Sequence, residues 1–169
     1  MRTYELTTTA LLTAVLYIVY TMGSFVMYVE LFNFMLVVYG LYFKRKQAWT
    51  ATVLFTLLLI ITRGLAPWTL MYLLLFPQYV LIYAWIKKKT SSEIVFAIVG
   101  GMLAFCCGTI IDLPYILIAN LGYEALLARL LLGFQVSLGN LLCTFLAVLF
   151  LLKPLGKALA RIAPHTVDR

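Results

Sequence analysis

Charge is scarce in this sequence. Only 11% of its 169 residues are Asp, Glu, Lys or Arg, against about 25% in an ordinary soluble domain, and the long runs between them leave no face for water. Such a surface needs lipid. Histidine is scarcer: the one copy, His165, lies outside the apolar runs, so a histidine triad or a histidine-rich metal site inside them is excluded. No Gly-rich lysine loop is present to cradle a nucleotide, so the chain cannot by itself couple ATP hydrolysis to work. The acids Glu30, Asp112 and Glu124 are scattered and form none of the close pairs that a metal-dependent phosphotransferase requires. Deep ionisable groups, which a proton- or ion-coupled carrier would use, are almost missing from the predicted helix centres. These absences argue against an enzyme. The three cysteines, Cys106, Cys107 and Cys143, lack metal-ligand spacing and read as reduced, structural thiols. No metal and no cofactor is expected.

What is abundant is apolar sequence, 64% of the chain. A helix needs roughly 20 apolar residues to cross a bilayer core, and six segments are candidates: 6–28, 31–43, 48–62, 68–86, 94–113 and 126–152. The first resembles a signal peptide in its basic start and apolar stretch, but no cleavage site leads into a soluble domain, so it reads as a span. The second is short, which predicts a tilted or recessed helix. Gly64, Ala66 and Pro67 break the third. Pro77 should kink the fourth, Pro114 is expected to end the fifth, and Lys153 and Pro154 to end the last. The expectation is one all-α membrane domain of six transmembrane helices.

Lysine and arginine concentrate on cytoplasmic loops, and here they fall at every second junction. With the amino terminus inside, Arg2, Lys44, Arg45, Lys46, Lys87, Lys88, Lys89, Lys153, Lys157, Arg161 and Arg169 all lie inside, and only Arg63 and Arg129 outside. Both termini are then cytoplasmic. The net charge of +7 does not indicate nucleic acid, because the cations form no stripe with interleaved aromatics. They fit topological signals and contacts with anionic lipid, or docking to a cytoplasmic partner.

Two features invite a functional reading. In the first span Thr7, Ala10, Ala14, Tyr17 and Thr21 share one helix face, and the AxxxA pair Ala10 and Ala14 would let another helix approach closely. Trp68, Tyr72, Asp112 and Tyr115 near the outer half, with Gln135 and Asn140 deeper along the last span, combine aromatic walls with a few polar groups, the composition of a small-molecule pocket. On the last span Arg129, Gly133, Val136 and Asn140 follow helical spacing, with Gln135 and Gly139 on an adjacent face. An interfacial aromatic belt and helix-to-helix hydrogen bonds would use the same residue types. The apolar connection from Pro114 to Ala125 would lie over a cavity as a lid or rest on the membrane surface.

The size, the six-span pattern, the Ala10 to Ala14 motif, the run Gly133-x-x-x-Ser137-Leu138-Gly139-Asn140-Leu141-Leu142 and the following Leu152-Lys153-Pro154-Leu155 together resemble the substrate-binding S components of energy-coupling factor (ECF) transporters. That resemblance spans nearly the whole chain and implies vitamin import across a prokaryotic plasma membrane. It implies an outward-facing pocket closed by external loops, docking of Ala10 and Ala14 onto a transmembrane T component, and energy from two cytosolic ATPases. S components share their fold more than their binding residues, so the six pocket residues come from predicted depth alone. A pyridoxine- or hydroxymethylpyrimidine-type ligand suits them first, then cobalamin. An envelope-assembly scaffold similar to the rod-shape protein MreD is the alternative, and a lipid-modifying membrane enzyme ranks below it.

Overall fold

A computed structural model describes residues 3–25 and 30–162. Arg2, Tyr28, His165 and Arg169 lie outside the described residues. The described residues form six helices and no strand: α1 Thr3–Gly23, α2 Phe32–Tyr42, α3 Arg45–Arg63, α4 Pro67–Ile86, α5 Glu93–Ile118 and α6 Tyr123–Ile162. Four of them, α1, α4, α5 and α6, are long and apolar enough to cross a membrane. A membrane-embedded, all-α protein follows from these four.

The remaining two helices differ in kind. The 11 residues of α2 rise about 16 Å, half of a hydrocarbon core of about 30 Å, and nine of them, Phe32–Leu41 apart from Met35, are buried. This short helix is the centre of the bundle, covered by its neighbours rather than by lipid. In α3, Arg45, Lys46 and Gln47 occupy the first turn and Arg63 the last, which trims the apolar length between them. Gly64, at φ 91°, closes α3 with its N–H on the Ile60 carbonyl at 3.0 Å. Pro67 then opens α4, where its missing N–H costs nothing. The Thr69 hydroxyl accepts from the Ala66 N–H at 3.0 Å and donates to the Ala66 carbonyl at 2.8 Å, fixing that first turn.

Two expected helix ends are corrected. Helix α5 continues through Pro114 to Ile118, and α6 through Pro154 to Ile162. A proline inside a helix forfeits one backbone hydrogen bond and crowds the preceding turn, yet a segment with no water to bond to loses more by unwinding. The connection between α5 and α6 is therefore only the turn 119–122, with Asn120 at φ 43°, a conformation asparagine tolerates. The segment from Pro114 to Ala125, expected as a connection lying over a cavity or on the membrane surface, is mostly helix, and its apolar composition is explained by that.

Helices α5 and α6 form an antiparallel hairpin with a seam of small residues. Ala97, Gly101 and Ala104 are buried at helical spacing on α5, and Gly108 continues the row. An added Cβ at Gly101 would lie 3.3 Å from the Leu141 carbonyl oxygen, and one at Gly108 would collide with the Ser137 hydroxyl. Absent side chains let the backbones approach, which is how helices gain contact where lipid supplies no hydrophobic drive. An ion pair holds each end: Asp112 with Arg129 at 2.8 Å, and Glu93 with Lys153 at 3.1 Å. Between them α5 runs uncharged from Ile94 to Ile111, about 27 Å, close to the thickness of the hydrocarbon core.

Contacts at the two ends assign the charges to opposite poles. Tyr39 donates to the Leu12 carbonyl at 2.7 Å, Gly40 packs on Tyr83 and Val80, and Gly156 packs on Tyr42. These contacts, with the Glu93–Lys153 pair, gather the start of α1, α3 and α5 and the end of α2, α4 and α6 at one pole. That pole carries Lys44, Arg45, Lys46, Lys87, Lys88, Lys89, Lys153, Lys157 and Arg161 against Glu5 and Glu93. The opposite pole carries Arg63 and Arg129 against Glu30, Asp112 and Glu124. Five interior hydroxyls are handled locally: Thr8, Thr9, Thr13, Thr52 and Thr56 each donate to the carbonyl four residues back, and the Thr13 hydroxyl also lies 3.3 Å from the Ala51 carbonyl of α3.

The seam makes a direct prediction. Gly108→Val should destabilise the protein by roughly 1–3 kcal/mol through overpacking. Gly122→Ala, where an added Cβ meets nothing within 4 Å, should change stability by less than about 0.5 kcal/mol. Thermal unfolding of the two purified variants in detergent measures the difference, and equal midpoints would contradict the seam.

Candidate functional site

The less basic pole is built from aromatic rings. Tyr20 of α1, Phe32 of α2, Phe55 of α3, and Tyr72 and Phe76 of α4 form one cluster: Tyr20–Phe55 centroids are 5.5 Å apart, Phe32–Phe76 4.7 Å and Tyr72–Phe76 4.4 Å. Tilted and edge-on pairs of this kind are the favoured arrangements of aromatic quadrupoles. The cluster fills the space between α1, α2, α3 and α4. Among the described residues no such plug fills the space between α4 and the α5–α6 hairpin.

There a cavity of about 380 Å³ opens. Its α6 wall is the single face Arg129, Leu132, Gly133, Val136 and Asn140, its α5 wall is Cys107, Gly108, Ile111 and Asp112, and Tyr72 and Glu30 complete it. The volume lies at the low end of the roughly 300–1,000 Å³ usual for ligand pockets, and a mostly apolar lining with a few polar groups is their usual chemistry. Gly133 is what leaves room on α6, since a Cβ built there would have Asp112 Oδ2, at 3.7 Å, as its one neighbour within 4 Å.

Three of the six expected pocket residues, Tyr72, Asp112 and Asn140, line this cavity. Two stand one contact behind it. Trp68 packs edge-on against Tyr72 with centroids 5.3 Å apart, and the Tyr115 ring lies 3.9 Å under the Arg129 guanidinium. Gln135 is exposed and sits off the lining face, because one residue along a helix turns the side chain about 100° away from Val136. Arg129, Glu30 and Cys107 were not among the six. The helical spacing of Arg129, Gly133, Val136 and Asn140 carried the signal for the first. Glu30 is brought in by its place two residues before α2, which no periodicity announces.

The electrostatics of the cavity are uneven. Asp112 accepts a 2.8 Å hydrogen bond from Arg129 Nη2, and the guanidinium is further held by its stacking on Tyr115. These two residues and Gly133 also line a lateral groove of about 430 Å³ with Phe105, Thr109 and Phe134, so the ion pair is the partition between groove and cavity. Glu30 forms no ion pair among the described residues, and burial pushes its carboxyl up to about 7, since removal from water disfavours the charged form. Among the described residues no three His, Cys, Asp or Glu side chains gather into a metal site.

Comparison with protein-family models, curated proteins and solved structures found no match for this chain. Its geometry alone describes it.

Glu30 yields a pH dependence of defined sign. A carboxyl raised from 4.5 to about 7 in the fold destabilises the folded state progressively as pH rises through that window and fully above it, by at most about 3 kcal/mol. The unfolding midpoint should therefore drop between pH 5 and pH 8 by more in the wild type than in Glu30→Gln. Parallel pH profiles for the two would contradict the desolvation of this carboxyl.

Proposed function

We propose that this chain is the substrate-binding subunit of an ECF-type importer, embedded in a prokaryotic plasma membrane, which captures a vitamin or vitamin precursor and delivers it by docking to a T component powered by two cytosolic ATPases. The observation that carries this reading is the cavity between α4 and the α5–α6 hairpin at the less basic pole, where Tyr72, Asp112, Arg129 and Asn140 present polar groups in a largely apolar cleft. By the charge rule for membrane proteins, the pole with nine Lys and Arg side chains faces the cytoplasm. The cavity then faces outward, the side from which an importer loads. Both termini inside complete the proposed topology, with α3 packed beside the four long helices and the half-length α2 buried among them.

A second feature supports the docking half of the reading. Helix α1 turns Thr9, Leu12, Thr13 and Leu16 into the bundle and leaves Ala10 and Ala14 exposed. On that side two methyl groups, four residues apart, offer a partner helix a shallow strip for close van der Waals contact. The cavity volume of about 380 Å³ favours a ligand of one or two rings, in keeping with a pyridoxine- or hydroxymethylpyrimidine-type molecule, over a macrocycle such as cobalamin.

The purified chain should carry a small molecule detectable by mass spectrometry, and a vitamin panel titrated against intrinsic Trp and Tyr fluorescence should find a ligand that perturbs Trp68 and Tyr72. No ligand across the panel and none co-purifying would overturn the transport reading and favour the MreD-like scaffold. Ala10→Trp with Ala14→Trp should abolish co-purification with the host's T component while ligand affinity stays within about threefold of wild type. Intact association in that variant would overturn the docking face.

A further inference from the structure

Two carboxylates reach the cavity, and they are not equivalent. The charge of Asp112 is answered within the protein: Arg129 lies 2.8 Å away, and the pair as a unit is neutral toward a ligand. Glu30 lines the same cavity, with no ion-pair partner among the described residues. A carboxylate beside Tyr72, Cys107 and Ile111 forfeits part of its hydration, and while it stays charged that cost is offset by a counter-charge or hydrogen-bond donors.

We propose that Glu30 is the counter-ion for a protonated amine on the ligand, so that the molecule held in this cavity is a small planar ring bearing a cationic nitrogen. This assignment rests on the binding role proposed above and adds the charge class of the cargo. The shape of the wall agrees with it. Tyr72 is backed by Phe76 at a centroid distance of 4.4 Å and an interplanar angle of 33°, a firm aromatic surface on which a planar ring stacks. An aromatic face also attracts a neighbouring cation through its quadrupole. On the α6 wall the buried Asn140 brings an amide that donates and accepts, and the guanidinium of Arg129, already fixed by Asp112 and Tyr115, offers donors to an acceptor on the ligand. An anionic ligand would face an unanswered carboxylate. A neutral one would leave Glu30 without its charge partner.

The test uses three probes that share one pyridine ring and differ only in a single substituent: pyridoxamine (aminomethyl, cationic), pyridoxine (hydroxymethyl, neutral) and pyridoxic acid (carboxylate, anionic). Affinities are measured on the full chain in lipid nanodiscs at pH 8, for wild type, Glu30→Gln and Glu30→Asp, with monodispersity checked for each. The expected result is pyridoxamine tighter than pyridoxine by at least about tenfold and pyridoxic acid weakest, a preference collapsed to within about threefold in Glu30→Gln and largely kept in Glu30→Asp. Equal or tighter binding of pyridoxine or pyridoxic acid overturns the proposal, as does an amine preference that survives Glu30→Gln. If none of the three binds, the molecule co-purifying with the wild type decides. A cation at neutral pH supports the assignment. A neutral or anionic molecule overturns it and leaves the transport reading intact, whereas no ligand of any kind overturns both.

Discussion

Where α5 meets α6, Ala97, Gly101, Ala104 and Gly108 present nothing longer than a methyl group, and the two backbones come close enough that an added Cβ at Gly108 would strike Ser137. Much else follows from that approach. It sets Asp112 opposite Arg129 at 2.8 Å and Glu93 opposite Lys153 at 3.1 Å, so four charges that hydrocarbon would penalise are paired at the ends of the apolar length. It also turns one face of α6 toward α4, and the glycine on that face, Gly133, leaves the cavity open. Were the seam filled by larger side chains, the ion pairs would separate and the wall of the cavity would shift with them.

The other half of the molecule is organised by size rather than by its absence. Phe32, Phe55, Phe76, Tyr20 and Tyr72 interlock around the buried helix α2, and this rigid block holds Tyr72 in place as one side of the cavity. The cavity is thus the seam between a part packed by large aromatic rings and a part packed by small residues. Charge completes the division. The two poles differ in sign, and the polar lining lies toward the one with few cations, away from Lys87, Lys88, Lys89 and Lys153.

Much of this was legible in the chain. Gly64 and Pro67 mark the α3–α4 break where it occurs, and the alternation of basic junctions anticipates the separation of charge between the poles. The helical spacing of Arg129, Gly133, Val136 and Asn140 names the α6 wall. Other features were not legible, for physical reasons. Pro114 and Pro154 read as helix ends because proline stops helices in water, whereas these helices continue past both. The 11 residues of α2 read as a shallow span because composition does not distinguish burial by protein from burial by lipid. Gln135 read as a pocket residue by depth, and depth is blind to the direction a side chain takes around the helix. Glu30 lies outside any helix, and its position in one cavity with Tyr72 and Asn140 depends on tertiary packing alone.

The central claim is that the space beside Gly133 holds the ligand. Because, among the described residues, Asp112 Oδ2 is the sole neighbour an added Cβ there would meet, at 3.7 Å, Gly133→Leu should fill the cavity without disturbing the seam, and a helix favours leucine over glycine. Small-molecule content of the purified wild type and Gly133→Leu, measured by mass spectrometry beside their unfolding midpoints, is the most direct measurement. The account predicts a ligand retained by the wild type and lost, or bound at least about tenfold more weakly, in a variant of undiminished stability. The same ligand carried equally by both proteins would contradict it.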